Sequence, residues 1–439
     1  MRKHLIGAAV AAVLASTSLA AHADALSDIF TQGHIDGQLR AYYFSRLYDA
    51  SAVPDANAFS GAALINLRSG TFADGFSLGA SFLTANSFGV QSGNPASIDS
   101  TLMGINNSVS ALGQAYVQYQ NRLMEVRAGY QYLNTPWMGQ SDSRVLPASY
   151  NAVSAVFKPA KGWDIYALRS FGWKSRTSGG YTSDNLYYPP TFNGDTMYGG
   201  LGGLPATAHQ ANGTWALGTS YGVAGFKGQA WYYNFLNFAR MGYLDGAYTF
   251  KTGTGFDPFV GAQYVDESGS SSNNFLVADQ APLFGVPGSS VKSRVWGVTG
   301  GVIIPNGRID LGYNKVESRA GAVGGGAIIS PYTAAYATDP LYTTSMIRGL
   351  VEMGPGHAWK AKVTYNLLKN FQVIAAYAKY TTQYRGHSHD VYLDLIYNLD
   401  GYLKGLTLRD RWERSVGGWN LNPGNKPFTY NRVMVSYSF

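Results

Sequence analysis

The sequence predicts an all-β fold, a transmembrane antiparallel β-barrel of about 18 strands with short periplasmic turns and long external loops. Three observations point there: an export leader, apolar/polar alternation of period two over segments of about ten residues, and connections that are alternately short and long.

The leader opens the chain. Met1-Arg2-Lys3-His4 is basic, Leu5 to Ala20 is apolar and Ala-rich, and Ala21-His22-Ala23 gives a small-x-small pattern before Asp24. A basic start, a short apolar core and that ending predict a signal peptide over 1–23, with 24–439 as a single barrel domain. The core is too short to span a membrane comfortably, and no stop-transfer charges follow it. Removing the leader takes Arg2 and Lys3 away, leaving 31 of 33 Lys+Arg against 26 Asp+Glu and lowering the net charge from +7 to +5. The chain has no cysteine, so it carries neither a lipidation site nor thiols that could mispair in an oxidising periplasm.

Charged residues are only 13% of the chain and aromatic ones 14%, with 32 Tyr and 53 Gly. No segment after the leader offers the roughly 18 consecutive apolar residues that a membrane helix needs. A closed barrel needs none, because its backbone polar groups are satisfied between strands.

The alternation runs throughout. Ile35, Leu39, Ala41 and Tyr43 alternate with Asp36, Gln38, Arg40 and Tyr42, and Ala63, Ile65 and Leu67 with Asn66 and Arg68. Val126, Ala128 and Tyr130 interleave with Glu125, Arg127 and Gln131; Ile309, Leu311 and Tyr313 interleave with Arg308, Asp310 and Asn314. Ala361, Val363 and Tyr365 interleave with Lys360, Lys362 and Thr364; Val391, Leu393 and Leu395 interleave with Asp390, Tyr392 and Asp394. A soluble sandwich would also alternate, but it requires neither such long strands nor the turn–loop rhythm. Short connections such as Phe72-Ala73-Asp74-Gly75 and Pro305-Asn306-Gly307 carry the residues tight turns demand. The long ones, about 47–58, 87–109, 133–148, 174–212, 268–290, 318–356 and 415–427, are polar and Gly-rich, and two brief ones lie near Asn237 and Tyr384. The closing segment alternates Val433, Val435, Tyr437 and Phe439 with Arg432, Met434 and Ser436, and ends on Phe. That ending is similar to the C-terminal signal read by the barrel-assembly machinery of Gram-negative outer membranes.

With the apolar set facing lipid, the other set lines the lumen. Arg40 and Arg46 on the first strand, Arg68 on the second, Arg409 and Arg411 near the end and Arg432 on the last strand all fall on that face. Closure joins the last strand to the first, so these arginines share one stretch of wall; Lys360 and Lys362 extend it a few strands away. A guanidinium fork holds a carboxylate through two hydrogen bonds and stays charged at any relevant pH. A row of such groups would draw anions through a narrow pore. Asp410 and Glu413 flank Arg411 and would reduce that field. The alternative is that these cations only solvate the wall and pair with Glu125, Glu413, Asp310 and Asp394.

Several stretches resemble the OprD family of substrate-specific porins: Leu39-Arg40-Ala41-Tyr42-Tyr43-Phe44-Ser45-Arg46, Asn134-Thr135-Pro136, Ser141-Asp142-Ser143-Arg144-Val145-Leu146-Pro147, Gly324-Gly325-Gly326-Ala327-Ile328, Asp339-Pro340-Leu341-Tyr342-Thr343 and Leu403-Lys404-Gly405-Leu406-Thr407-Leu408. The resemblance implies an 18-stranded barrel whose third and seventh external loops fold into the pore and face an arginine ladder. Arg40, Arg409 and Arg411 are then the leading ladder positions, followed by Arg432 and Arg46. Ser141, Asp142, Ser143 and Arg144 belong to the third loop, and Asp339 and Tyr342 to the seventh.

The expected function is a substrate-selective channel in a Gram-negative outer membrane, passing small carboxylate-bearing solutes: aromatic or other organic acids, or amino acids. A general-diffusion porin with weak anion preference, and a barrel enzyme or adhesin, are the alternatives. Gly218-Thr219-Ser220-Tyr221-Gly222 fits a hydrolase pattern, but it runs from a strand into a turn and lacks the helix that such an elbow needs. His387-Ser388-His389-Asp390 offers two imidazoles with no third metal ligand evident. No enzyme activity, metal, cofactor or nucleic-acid partner is expected. The expected partners are anionic or zwitterionic solutes, outer-membrane lipid and lipopolysaccharide, and the assembly machinery at Phe439, with the barrel a monomer or a trimer.

Overall fold

Along the first strand, the parity read from the sequence becomes an inside and an outside. Ile35, Leu39, Tyr43 and Leu47 stay exposed on the outer surface, Ile35 at 64%, while Phe44 and Arg46 between them are buried. The computed structural model describes residues 31–141, 143–187, 210–270, 290–332, 339–418 and 426–439; the expected signal peptide and Asp142 lie outside these.

The strands are β1 (His34–Tyr48), β2 (Ala56–Arg68), β3 (Phe76–Asn86), β4 (Ser108–Gln120), β5 (Met124–Gln131) and β6 (Ser149–Ala160). They continue with β7 (Trp163–Lys174), β8 (Thr214–Val223), β9 (Phe226–Phe235), β10 (Ala239–Thr249), β11 (Asp257–Gly269) and β12 (Lys292–Ile304). The last six are β13 (Gly307–Val316), β14 (Gly356–Leu368), β15 (Phe371–Thr382), β16 (Gly386–Asn398), β17 (Leu406–Gly417) and β18 (Phe428–Ser438). They form one 18-stranded antiparallel sheet in sequence order, closed by β1 against β18 from Gln38↔Ser438 to Tyr48↔Phe428. The barrel is the fold the alternation predicted. Closure leaves no unpaired edge, which is what lets strands of this polarity cross lipid.

The short turns follow from local chemistry. At Pro305-Asn306-Gly307 the chain reverses with Asn306 at φ 62°, a left-handed conformation that Asn tolerates better than most residues. At the opposite end the long loops return into the barrel. Leu102 and Met103 of the second loop, Val145 and Leu146 of the third and Ile347 of the seventh pack against Phe44, Leu64 and Tyr430 of the wall. Trp137 and Met138 of the third loop, Tyr187 of the fourth and Ile328 and Leu350 of the seventh fill the other side against Tyr233, Tyr243 and Tyr380. The external half of the lumen is therefore a packed core. Inward folding extends beyond the third and seventh loops to the second and to the start of the fourth.

Candidate functional site

Five of the six arginines read from the sequence occupy neighbouring lumen positions on β17, β18 and β1, and the sixth, Arg68, lies apart on β2. Arg411 sits directly opposite Arg432, and Arg432 opposite Phe44. The six nevertheless have different surroundings. Arg40 donates from Nη1 to the carbonyls of Arg144 and Val145, at 3.1 and 3.0 Å, and so ties the third loop to the wall. Arg46 donates to Asp99 at 2.5 Å and to Thr101 at 3.1 Å, tying down the second loop. Burial would push the Asp99 carboxyl up, but Arg46, with Thr101 and Tyr430, holds it below the usual carboxylate range. Arg432 is fully buried, its guanidinium 4.3 Å from the Tyr430 ring centroid and 5.1 Å from that of Phe44. Arg68 stands exposed at the periplasmic end of β2, opposite His34.

Arg409 and Arg411 form a different unit. Arg409 grips Asp394 with two hydrogen bonds, Nε to Oδ1 at 2.9 Å and Nη2 to Oδ2 at 2.6 Å. Arg411 lies 3.5 Å from the same carboxylate and donates to the Tyr392 hydroxyl at 3.1 Å. Tyr392 in turn donates to Asp394 at 2.5 Å. Two guanidiniums thus share one carboxylate, leaving a net charge of about +1 on this part of the wall. The Arg409 side chain remains 32% exposed, and Arg411 9%.

Neither acidic neighbour of Arg411 opposes that field at the surface of the passage. Asp410 is on the outward parity of β17, opposite Val433, and accepts from Asn431 of the same outer face. Glu413 is spent on the seventh loop, accepting from Ser345 Oγ and the Met346 amide, both at 2.8 Å. Arg348 of that loop lies 3.5 Å from Asp390 and donates to Ser415. These anchors were not picked out from the sequence as loop contacts, because a lumen-facing carboxylate gives no local sign of which distant loop it will meet.

The predicted lysines separate in the same way. Lys360 is turned to the seventh loop, donating to the Thr344 carbonyl at 2.5 Å. Lys362 stays part-exposed, 3.7 Å from Asp310, and Arg308 donates to the same carboxylate at 2.5 Å. Arg308, read only as part of the alternation, belongs to this second cationic group. In the third loop, Ser141 Oγ accepts from Arg176 at 3.2 Å, and Arg144 donates to the Ser143 carbonyl and hydroxyl. In the seventh, Asp339 is pushed up to about 6 by burial, against the pull of Thr344, the Leu341 amide and Lys360. Tyr342 reaches across to donate to Asp245 of β10 at 2.5 Å. Among the described residues no group of His, Asp and Glu is placed to hold a metal. Ser220 lies on β8 and shares a hydrogen bond with Tyr166 at 3.1 Å.

No family model and no curated protein matches this chain. Solved structures do. OccAB3 of Acinetobacter baumannii superposes with a TM-score of 0.73 at 16% identity, over 93% of this chain and 100% of its own. Pseudomonas aeruginosa OpdK, solved with vanillate, gives 0.69 at 15%, over 93% and 98%. OccK2 (OpdF) of the same species, in complex with glucuronate, gives 0.69 at 15%, over 93% and 98%. The structural neighbours of this barrel are thus OprD/Occ porins of outer membranes, in keeping with the resemblance read from the sequence.

Proposed function

We propose that this protein is a substrate-selective channel of a Gram-negative outer membrane, admitting small carboxylate-bearing solutes past Arg409 and Arg411. The observation that carries the reading is the shared counter-ion: two guanidiniums on one Asp394 leave positive charge where β17 emerges from beneath the loops. A solute carboxylate at Arg409 meets a planar fork already oriented by Asp394. At an effective dielectric near 20, a close charge pair gains about 4 kcal/mol before desolvation. Asp394 competes for the same donors, so the net gain is much smaller and the solute leaves as readily as it arrives. Diffusive passage needs that balance. The neighbours solved with vanillate and with glucuronate, both carboxylate-bearing, support this substrate class. The loop-filled external half favours selection over free diffusion.

The test is electrical. In planar bilayers under a salt gradient the reversal potential should show anion preference, and benzoate should reduce the conductance. Replacing both arginines, Arg409→Gln with Arg411→Gln, should weaken both effects together. Unchanged selectivity and unchanged benzoate block in the double variant would remove the arginine pair from the mechanism.

A further inference from the structure

The outer surface of the barrel is not uniform around its circumference. On β12 to β16 the outward positions nearest the external rim carry Lys292, Lys315, His357, Lys379, His387 and His389. The periplasmic ends of the same strands present Val302, Ile309, Tyr365, Phe371 and Tyr397 outward instead. Across the barrel, on β1 to β4, the corresponding rim positions are uncharged: Ser45, Asn57, Thr84 and Ser110.

The lysines and imidazoles of this band are brought into register. Lys315 lies directly opposite His357, and Lys379 directly opposite His389. The nearby carboxylates are engaged elsewhere. Asp266 pairs with Arg294 at 3.2 Å and Glu317 with Arg319 at 2.7 Å, and among the described residues neither Lys315 nor Lys379 has a carboxylate within 4 Å.

Rings are interleaved with these side chains. Trp296 packs on Tyr313 at 5.4 Å, and Tyr313 stacks on His357 at 6.0 Å. Trp359 packs on Tyr377 at 5.2 Å, and Tyr377 stacks on His389 at 5.8 Å. Amphipathic rings of this kind mark the depth where hydrocarbon gives way to headgroups. A band of lysines and hydrogen-bonding imidazoles at and just above that depth, on the lipid-facing side of the wall, matches an amphiphile with phosphates at its head and acyl chains below.

We propose that β12–β16 bind a multiply phosphorylated glycolipid of the outer leaflet, of lipopolysaccharide type. Its phosphates lie on Lys315 and Lys379 with the neighbouring imidazoles, and its acyl chains lie along Trp296, Trp359 and the apolar wall beneath. The site is on the opposite side of the wall from the solute path and stands or falls independently of it.

The full-length protein in phosphatidylcholine nanodiscs is titrated with diphosphoryl lipid A, monophosphoryl lipid A, phosphatidylglycerol and, in bulk, inorganic phosphate. Retained lipid and the unfolding temperature are measured. Diphosphoryl lipid A should bind tightest and raise the unfolding temperature, the monophosphoryl form should bind more weakly, and inorganic phosphate should do nothing. Lys315→Gln and Lys379→Gln should each lower lipid A affinity about five-fold, while Lys404→Gln at the periplasmic turn should leave it alone. Single-channel conductance confirms that the variants are folded, since both lysines face away from the lumen. Equal affinity of the Lys315→Gln, Lys379→Gln double variant and the parent would overturn the proposal. So would phosphatidylglycerol binding as well as lipid A, or inorganic phosphate reproducing the stabilisation.

Discussion

The two halves of the lumen are built from the same alternation and behave differently. Along β17, consecutive inward side chains pass from Arg409, 32% exposed, through Arg411 at 9%, to Glu413, fully buried. Near the periplasm the inward charges cluster within the wall around at least one exposed cation, with Arg409 beside buried Arg411 on Asp394 and Arg308 beside Lys362 on Asp310. Near the external rim the inward charges are fasteners, with Arg46 on Asp99, Arg348 on Asp390 and Glu413 on loop amides. Facing the lumen is therefore not the same as lining the path. What a polar side chain does depends on whether a loop reaches its height: most fasteners lie in the external half, but Arg40 and Asp245, lower in the wall, hold the third and seventh loops as well.

The most severe way to break this contrast is to unfasten the upper half. Arg46→Ala leaves the Asp99 carboxylate buried without its cation, a change that costs about 3–5 kcal/mol in such pairs. Its cost should fall on the docking of the second loop more than on the barrel, whose strand pairing it leaves intact. The expected record is a noisier, higher-conductance channel, with detergent unfolding shifted to lower denaturant. A quiet channel of parental conductance would mean that Arg46 does not hold the loop.

A gentler lever is pH. Glu352 of the seventh loop is buried against Tyr187 of the fourth, which donates to it, and Glu267 of β11 lies near the same tyrosine. Burial pushes the Glu352 carboxyl up to about 7, with the Tyr187 hydrogen bond pulling the other way. In an undocked loop the same group ionises at its ordinary value near 4.5. Docking is therefore strongest below about pH 4.5 and weakens as pH rises to about 7, by about 3 kcal/mol over that window. Open-channel current should be steadier at pH 5 than at pH 8, and Glu352→Gln should shrink the difference to the part contributed by Asp339 of the same loop. The same pH dependence in the Gln variant would place the titrating group elsewhere.

The barrel was legible because its signal is local and repeated: parity, turn residues and loop lengths are properties of adjacent positions. The lumen arginines were legible for the same reason. Their roles were not. Arg40 and Arg409 look alike in the sequence, one between Leu39 and Ala41, the other between Leu408 and Asp410. They differ because Arg40 meets a loop more than a hundred residues away, while Arg409 meets Asp394 on the adjacent strand. The inward folding of the second loop was missed because its anchor is the pairing of Arg46 with Asp99. Nothing around Asp99, apart from its place before Ser100 and Thr101 as a helix cap, marks it as a buried counter-ion.

The smallest expected effect sharpens the contrast most, because it comes from the half where charge is supposed to act on the solute and not on the fold. Lys362 and Arg308 share Asp310 near the periplasmic mouth with their side chains well exposed, 37% and 45%. Exposed pairs of this kind contribute about 0–1 kcal/mol to stability. Lys362→Gln should leave unfolding within about 0.5 kcal/mol of the parent, yet it turns a local net of about +1 into neutrality and should move the reversal potential measurably toward zero. Selectivity falling without any loss of stability is the signature of a path-lining charge. A stability loss comparable to that of Arg46→Ala would instead make Lys362 another fastener, and the division between the two halves would not extend to this wall.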